Sequence, residues 1–229
     1  MEIRLNKFLA DHGIASRRKA ERFILQGKVK INSEVVAKLA TKVDPKTDLV
    51  EVQGYGVLSE KNKEKVIYKV NKPVGYICSN RRFKNDKLVF DLIDDKRRLF
   101  VIGRLDKDSQ GLVLLTNDGN LAQKMTHPRY EKEKEYEVEV DKELTKDFLA
   151  KMASGVRIDS GLTRQAKVKP LAKKSFNIIL KQGKNRQIRK MCAKLGYKVQ
   201  KLKRIRLGAI KLNDLSLGQA QKLDLSLFK

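Results

Sequence analysis

A short segment near the middle of the chain combines two carboxylates, a hydroxyl and two glycines. Residues 103–112 read Gly-Arg-Leu-Asp-Lys-Asp-Ser-Gln-Gly-Leu, and the apolar run 113–115 follows directly. A carboxylate such as that of Asp106 can act as a nucleophile or as a general base. The same composition is also typical of a polar turn that leads into a buried strand. The segment alone leaves both interpretations open.

The spacing of this segment also resembles a calcium-binding loop. Asp106, Asp108 and Gly111 would take positions 1, 3 and 6 of such a loop. Position 12 would then be Asn117, where the site requires a bidentate glutamate, and no entry helix is apparent. We therefore set calcium binding aside.

A second segment of interest is Glu135-Tyr136-Glu137-Val138, in which polar and apolar residues alternate as in a half-buried strand. Tyr136 lies on the apolar side of this predicted strand. A core tyrosine with a satisfied hydroxyl is the default expectation for such a position.

The third segment, residues 182–192, is predicted to lead into a helix, because its apolar residues recur at helical spacing. Arg189 follows the apolar Ile188 by one residue, or about 100° of helix turn, so it should lie at the border of the buried face and could point into a cleft. Arg186 and Lys190 should lie further towards solvent. Residues 181–206 contain 11 basic and no acidic residues, which predicts a surface that contacts phosphates. Ordinary solvated helices usually mix both signs of charge.

The overall composition favours a polyanionic partner. The 229 residues include 52 Lys and Arg against 27 Asp and Glu, a net charge of +25. Nucleic acid is the commonest partner of such a chain, and no apolar run approaches the roughly 20 residues that a membrane span needs.

The two cysteines, Cys78 and Cys192, lie far apart and are not at the spacing of metal ligands. We therefore expect no zinc site and a reducing, cytoplasmic location.

Two domains are predicted to carry these segments. Residues 1–56 should form a small unit with a helix at Leu5–Leu9, a second helix that Ser16 caps and Gly27 ends, and short strands. Residues 57–65 are polar and should form a linker. Residues 66–229 should form a larger α+β domain with a mostly antiparallel mixed sheet flanked by helices. Its clearest strands are predicted near 66–70, 136–140 and 176–180, and its helices within 121–125, 144–153 and 185–195.

The first fifty residues resemble the alpha-L RNA-binding module, which a small-subunit ribosomal protein shares with many RNA-modifying enzymes. The resemblance is carried by Arg4-Leu5-Asn6-Lys7-Phe8, by residues 13–21 (Gly-Ile-Ala-Ser-Arg-Arg-Lys-Ala-Glu) and by residues 27–32 (Gly-Lys-Val-Lys-Ile-Asn). It implies that the basic second helix contacts RNA, but it does not imply any catalytic activity.

Several motifs further along resemble the RsuA/RluB/RluE/RluF branch of pseudouridine synthases. In chain order they are Lys72-Pro73-Val74-Gly75, the 103–112 segment, Thr116-Asn117-Asp118-Gly119, Lys134-Glu135-Tyr136 and Asn185-Arg186-Gln187-Ile188-Arg189. Shorter segments, such as residues 107–110 and 196–199, are most similar to the RluF type, which acts on large-subunit ribosomal RNA. The resemblance spans nearly the whole chain.

The resemblance implies an isomerase that breaks the bond between uracil and ribose and rejoins the base through a ring carbon. Asp106 would be the essential carboxylate, either as nucleophile or as base. Arg189 would orient it and hold it in its charged form, which burial alone disfavours. Tyr136 would stack on the uracil and assist the transfer of the ring-carbon proton. Arg104 would fill the space that the flipped uridine leaves in the RNA.

Because substrate and product are isomers, we expect no cofactor and no metal. The expected partner is ribosomal RNA, with the large subunit favoured and transfer RNA as a second candidate. We expect no membrane association and a monomer. The residues expected to contact RNA are Arg17, Arg18, Lys19, Arg22, Lys28, Lys72, Arg104, Lys184, Arg186 and Lys190.

Other functions fit parts of the sequence. A non-catalytic RNA-binding or ribosome-assembly factor would explain the charge and the N-terminal module, but it has no reason to combine Asp106, Tyr136 and Arg189. A metal-dependent nuclease would need clustered carboxylates at ligand spacing, and a methyltransferase would need a glycine-rich loop after a strand. Neither pattern is convincing in this chain.

Overall fold

The computed structural model describes residues 1–58, 64–82 and 85–228. They form two compact units. The first comprises the described residues of Met1–Val66 together with Lys96–Arg98 and Asn117–Gly119, and the second comprises those of Ile67–Asp95, Leu99–Thr116 and Asn120–Lys229. In the part of the chain covered by these ranges, no helix has the length and apolar character needed to cross a membrane.

The first unit packs two short helices beside small antiparallel sheets. Its elements are β1 (Ile3–Arg4), α1 (Leu5–Asp11), α2 (Arg17–Leu25), β2 (Val29–Ile31), β3 (Glu34–Val35), β4 (Lys42–Val43), β5 (Val50–Val52) and β6 (Gly56–Leu58). Strand β1 pairs with β4, and the order of the other sheet is β3-β2-β5-β6. Apolar residues of both helices and of strands β2, β4 and β5 share one core.

Local sequence signals explain how α2 begins and ends. The Ser16 hydroxyl accepts a hydrogen bond from the backbone N–H of Lys19, which satisfies one of the otherwise unpaired donors of the first turn. After the helix, Gly27 adopts a φ of +66°, a left-handed conformation that favours glycine. Both ends were predicted from the sequence and are confirmed.

The predicted linker begins inside a strand. Residues 57 and 58 belong to β6, which pairs with β5 in antiparallel register. Residues 59–63 of the predicted linker lie outside the described residues.

The second unit is built on a sheet of nine strands, and this sheet is mixed and mostly antiparallel, as predicted. The strands are β7 (Ile67–Lys72), β10 (Phe100–Ile102), β11 (Gln110–Thr116), β12 (Lys134–Val140), β15 (Lys167–Ala172), β16 (Ser175–Leu180), β17 (Val199–Leu207), β18 (Ile210–Lys211) and β19 (Ala220–Lys222). The order is β15-β16-β12-β17-β11-β7-β19, with β10 on β11 and β18 on β17. All these pairs are antiparallel except the parallel pair β11–β17.

Helices and short ladders complete this unit. The helices are α3 (Gly119–Thr126), α4 (Lys146–Ser154) and α5 (Gln187–Lys194), and the remaining strands are β8 (Tyr76–Ile77), β9 (Lys87–Leu88), β13 (Arg157–Ile158) and β14 (Gly161–Leu162). Short 3-10 helices lie at Val89–Leu92, Pro128–Tyr130 and Leu225–Phe228. Apolar residues of β7, β10, β11 and α3 form a core with Leu207, Ile210 and Leu212.

The centre of the sheet brings three segments together. Residue Gly111 of β11 and residue Tyr136 of β12 are both register partners of Arg204 on the strand between them. The loop that contains Asp106 leads directly into β11, so the sheet holds this loop close to Tyr136.

Candidate active site

The loop that carries Asp106 is fixed by hydrogen bonds along its length. The Leu105 N–H donates to the Cys78 sulfur at 3.5 Å, and the Lys107 carbonyl accepts from the Gly75 N–H at 2.7 Å. Within the loop, the Ser109 N–H donates to the Asp106 carbonyl at 3.1 Å. The backbone of this loop is therefore held in place before any ligand arrives.

Asp106 and Tyr136 line one cleft of about 1000 Å³. The Asp106 side chain is 36% exposed, so its carboxylate is accessible from the cleft without facing bulk solvent completely. Tyr136 lies on the apolar side of β12, as predicted, and only 9% of it is exposed. Basic residues make up much of the cleft wall, namely Arg104, Lys107, Lys132, Lys134, Arg164, Lys181, Lys184, Arg186 and Arg204.

Asp108 holds two arginines beside the candidate catalytic loop. Arg186 donates to both Asp108 carboxylate oxygens, at 3.1 and 2.9 Å, and Arg189 places Nε 3.3 Å from the same carboxylate. Arg189 also donates to the Asp108 carbonyl oxygen at 2.8 Å. The hydrogen bond from Arg186 is the main reason that the pKa of Asp108 lies below its usual value, and the charges of both arginines act in the same direction.

The expected pairing of Arg189 with Asp106 is therefore not the one that the structure contains. Among the described residues, the cation nearest the Asp106 carboxylate is Arg186, whose Nη1 lies 3.8 Å from Oδ2. Arg186 lies towards solvent as expected, with 42% of its side chain exposed, but the carboxylates of Asp108 and Asp106 also lie beside its guanidinium. Helix position alone could not reveal this, since Asp108 comes from a segment some eighty residues away.

The backbone at Arg186 is in an unusual conformation. Its φ is +51°, in the left-handed region, immediately before helix α5 begins at Gln187. Such a conformation is costly for a residue other than glycine and is found preferentially at functional sites. Here it accompanies a guanidinium that lies against the acidic loop, while Gln187 accepts a hydrogen bond from the Lys184 N–H at 3.1 Å.

Lys72 was expected to contact RNA, and the structure contradicts this. The residue is completely buried, and its ammonium group donates to the carbonyls of Pro73 and Tyr76, each at 2.8 Å. Burial lowers the pKa of Lys72, although Cys78, Asp108 and Asp106 oppose the shift. Lys72 therefore stabilises the turn at residues 73–76, from which the Gly75 N–H reaches the catalytic loop.

Sequence reasoning missed Arg204, the most prominent buried charge in the cleft. It is 1% exposed, and its guanidinium carbon lies 6.0 Å from the centroid of the Tyr136 ring. The alternation along the strand gave no usable signal, because Arg204 shares its phase with Leu202 and Arg206, whereas Ile205 and Leu207 lie on the other phase.

The basic stretch at residues 181–206 is less available to RNA than predicted. Several of its cations pair with carboxylates from distant segments: Arg186 and Arg189 with Asp108, Lys190 with Asp159, Lys201 with Glu139, Lys203 with Glu137, and Arg206 with Glu133 and Glu135. Lys184 donates to the carbonyls of Ser160, Gly161 and Leu162. The stretch lacks acids only in sequence, because β12 supplies three of them across the sheet and Glu133, just before β12, supplies another.

Other residues expected to contact RNA are placed on accessible surface. Arg17, Arg18, Lys19 and Arg22 are exposed on α2, and Lys28 is exposed before β2. Arg104 is exposed as well and lines the cleft next to Asp106. These positions remain candidates for phosphate contacts.

The ion-pair cluster around Arg206 gives a test of stability against pH. Arg206 bonds Glu135, whose pKa it holds below the usual range, and it also bonds Glu133 at 3.0 Å. A lowered carboxyl pKa stabilises the fold above the unfolded-state value of about 4.3, and the effect is lost as pH falls through the folded-state value. We expect Glu135→Gln to lower the free energy of unfolding by about 1 kcal/mol at pH 7 and by much less at pH 3 in urea titrations.

Glu139→Gln is the matched control, since Glu139 lies on the same strand and pairs with Lys201 at 2.9 Å. Its pair is much more exposed, at 71% for the lysine and 45% for the glutamate side chain. This variant should change stability by a few tenths of a kcal/mol at most. Equal losses for both variants at pH 7, or a Glu135→Gln effect that persists at pH 3, would contradict the assignment.

Comparison with known proteins assigns this chain and its fold to one enzyme class. The family model described as RNA pseudouridylate synthase matches residues 66–194, and the model of the S4 domain matches residues 3–49. The chain belongs to the RNA pseudouridine synthases, which are isomerases, and within them to the RsuA branch. The family resemblance and the fold class predicted from the sequence are thus confirmed.

Two relatives and one solved structure illustrate the match. The chain is 42% identical over 221 residues to "Dual-specificity RNA pseudouridine synthase RluF" of Escherichia coli K12, covering 96% of this chain and 75% of that protein. It is 41% identical over 227 residues to "Ribosomal large subunit pseudouridine synthase B" of Bacillus subtilis 168, covering 96% and 91%. A crystal structure of a pseudouridylate synthase superposes with a TM-score of 0.72 at 30% identity, covering 99% and 98%.

Proposed function

We propose that the protein converts a specific uridine of large-subunit ribosomal RNA to pseudouridine, with Asp106 as the essential carboxylate. The observation that carries the proposal is the shared cleft, in which Asp106 and Tyr136 face the same basic space. The name of the Bacillus subtilis relative, a ribosomal large subunit pseudouridine synthase, supports the choice of the large subunit. Transfer RNA is the alternative substrate class, and the experiment below distinguishes the two.

The proposed chemistry needs one anion beside the sugar and one flat surface beside the base. Asp106 supplies the anion, and Nη1 of Arg186 lies 3.8 Å from its carboxylate. Tyr136 supplies the ring surface against which the uracil stacks. Arg189 acts indirectly: it holds the Asp108 carbonyl and carboxylate and so fixes the loop that carries Asp106.

RNA binding is divided between the two predicted domains. Residues 1–56, with the exposed cations of α2, bind the RNA backbone, and residues 66–229 carry out the isomerisation. The target uridine must leave its stack to reach the cleft, and the exposed Arg104 at the cleft wall takes its place. Asp106 and Tyr136 come from one chain, which supports a monomer as the active form. The location that fits this function is the cytoplasm.

The decisive experiment maps pseudouridines in ribosomal and transfer RNA from cells that have or lack this protein. We expect one or a few large-subunit positions to lose the modification and to regain it when the wild-type gene is restored. Restoration with Asp106→Asn should not return it. Loss of pseudouridine only in transfer RNA would overturn the assignment of ribosomal RNA as the substrate. If no position lost pseudouridine, the proposed function itself would be overturned.

The exposed cations of α2 give a second test. Replacing Arg17, Arg18, Lys19 and Arg22 by glutamine removes the charges of four exposed residues of α2. Each phosphate contact contributes roughly 0.7 to 0.9 to the slope of log affinity against log salt concentration. We therefore expect the slope to become shallower by about 3, with a weaker affinity for a ribosomal RNA fragment at 100 mM salt, both measured by fluorescence anisotropy.

The control removes the same number of charges elsewhere. Lys146, Lys167, Lys169 and Lys174 are exposed in the second unit, and their replacement by glutamine should change the slope by less than one. If both quadruple variants reduce the slope equally, the protein attracts RNA through its net charge alone and α2 has no special role.

A further inference from the structure

Arg204 carries a charge that is buried and has no carboxylate partner among the described residues. Its Nε donates to the Leu112 carbonyl at 2.7 Å, and its Nη2 donates to the Gly103 carbonyl. Both acceptors are neutral main-chain groups, one on β11 and one at the start of the catalytic loop. The guanidinium is thus held in a single position by the backbone of the site itself.

The neighbouring arginines differ from Arg204 in this respect. Arg186 and Arg189 share the carboxylate of Asp108, and Arg206, two residues further along the same strand, contacts two glutamates. Burying a cation without an anion is unfavourable, and apolar replacements of buried charges are often equally stable or more so. The folding of the sheet therefore does not explain why a charge stands at this position.

The backbone around Arg204 makes room for the guanidinium. A Cβ atom at Gly103 would lie 3.3 Å from both Nη atoms and 3.0 Å from Leu207, and Gly103 has a φ of +70°. The glycine therefore lets the catalytic loop pass directly over the charged group. The hydrogen bond from Nη2 to the Gly103 carbonyl thus places the charge directly against the loop that carries Asp106.

The field of Arg204 reaches the interior of the cleft. Its guanidinium carbon is 6.0 Å from the centroid of the Tyr136 ring, and both residues line the same space. Lys134, on the neighbouring strand β12, has a lowered pKa, mainly because it is buried and in addition because of the charge of Arg204. An anion in this space would be stabilised by the same field.

The reaction creates such an anion. When the bond between N1 of uracil and C1′ of ribose breaks, its electron pair stays on the base, whose negative charge spreads over N1 and the carbonyl oxygens. This holds whether the Asp106 carboxylate bonds to C1′ or removes a proton from C2′. The base then bonds to C1′ through C5: in the first case the C1′–O bond to Asp106 breaks at this step, and in the second the proton on Asp106 returns to C2′. The proton then leaves C5 and N1 takes up a proton, so substrate and product contain the same atoms and Asp106 ends as the carboxylate it began as.

We propose that Arg204 stabilises the negative charge of the detached uracil between cleavage of the bond to N1 and formation of the bond to C5. The inference rests on the proposed site, with the uracil beside Tyr136 and Asp106. Arg204 is fixed before the substrate arrives, so it needs no rearrangement when the charge appears. Removing one preorganised group of this kind typically slows a reaction about 100-fold or more.

The test compares Arg204→Gln and Arg204→Lys with Arg206→Gln in single-turnover reactions on a ribosomal RNA fragment. Arg204→Gln should reduce the rate of the chemical step about 100-fold and change the RNA dissociation constant less than threefold. Arg204→Lys, which keeps the charge but not the planar fork, should be intermediate. Arg206→Gln removes a cation from the same strand and should leave the rate within threefold.

A substrate whose base is a better leaving group separates the electrostatic effect of the Arg204 substitutions on the rate from their structural effect. 6-Azauracil is more acidic than uracil, so its anion depends less on outside stabilisation. With 6-azauridine at the target position, the loss in glycosidic-bond cleavage caused by Arg204→Lys or Arg204→Gln should shrink at least tenfold. A merely structural role would give the same loss with both bases, and that result would overturn the proposal.

Failure of this inference is distinguishable from failure of the proposed site. If Asp106→Asn retains turnover, the site itself is wrong. If Asp106→Asn is inactive while both Arg204 variants keep a normal rate, only the role of Arg204 is wrong. Should Arg204→Gln not fold, as judged by circular dichroism, the comparison of the two bases with Arg204→Lys still decides the question.

Discussion

Asp106→Asn should abolish pseudouridine formation while the protein still folds and binds RNA. The asparagine keeps the size of the side chain but can neither bond covalently to the sugar nor accept a proton from it. Loss of an essential catalytic group typically costs about 10⁴-fold in turnover. The Asp106 carboxylate has a single ion-pair contact within the described chain, at 3.8 Å, so its loss should change stability by less than about 1 kcal/mol. Single-turnover assays on a ribosomal RNA fragment measure the rate, and fluorescence anisotropy measures affinity.

Asp108→Asn is the matched control, because it removes a carboxylate two residues away in the same loop. Asp108 binds Arg186 and Arg189, so this variant loosens the support of the loop but leaves the reacting carboxylate in place. It should remain measurably active. If Asp106→Asn turns over normally, or if Asp108→Asn is the inactive variant of the two, the essential carboxylate has been assigned to the wrong residue.

Local elements of this fold were predictable because their causes are local. The Ser16 cap and the left-handed Gly27 both follow from residue type. The alternation at 134–140 likewise predicted β12 and the buried side of Tyr136. Each of these features depends on interactions within about four residues of chain, or on burial of one face.

The errors in charge pairing share a different cause, since each involves a partner that is distant in sequence, whereas the burial of Lys72 has a local cause. Strand β17 lies between β11 and β12, and this register brings the glutamates of β12 to the cations that the sequence shows as an unpaired basic run. Lys72 is buried because backbone carbonyls of its own turn accept its hydrogen bonds. Asp108 takes the arginine that was assigned to Asp106. Charge pairing across a sheet requires the register, which the sequence of one chain does not provide.

The candidate site also combines features that the sequence predicts with features that depend on the strand register. Its family motifs identified Asp106 and Tyr136 as candidates, and the structure places both in one cleft. The motifs did not indicate Arg204, because its position becomes meaningful only once Gly111 and Tyr136 are known to be its neighbours on either side. The contact between β11 and β17 is therefore the structural feature on which this part of the site depends.

Gly111→Ala should be the most destabilising single-methyl change in this part of the sheet. A Cβ atom at this position would lie 2.3 Å from the Arg204 carbonyl oxygen and 2.7 Å from its nitrogen. Both are main-chain atoms of a central strand and cannot move without breaking the β11–β17 pairing. The φ of Gly111 is +105°, which adds strain for any residue with a side chain. Overpacking and strain together should lower the free energy of unfolding by roughly 3 to 6 kcal/mol in urea titrations.

Gly196→Ala separates the two contributions, because Gly196 has a φ of +82° but nothing within 4 Å of an added Cβ. It should lose only about 1 to 2 kcal/mol, the cost of the left-handed backbone. Where Gly111→Ala still folds, the displaced strand should also move Arg204 away from Tyr136, so the rate of isomerisation should fall further than RNA affinity does. If Gly111→Ala is no less stable than Gly196→Ala, the two strands do not approach each other this closely, and the position assigned to the Arg204 charge is wrong as well.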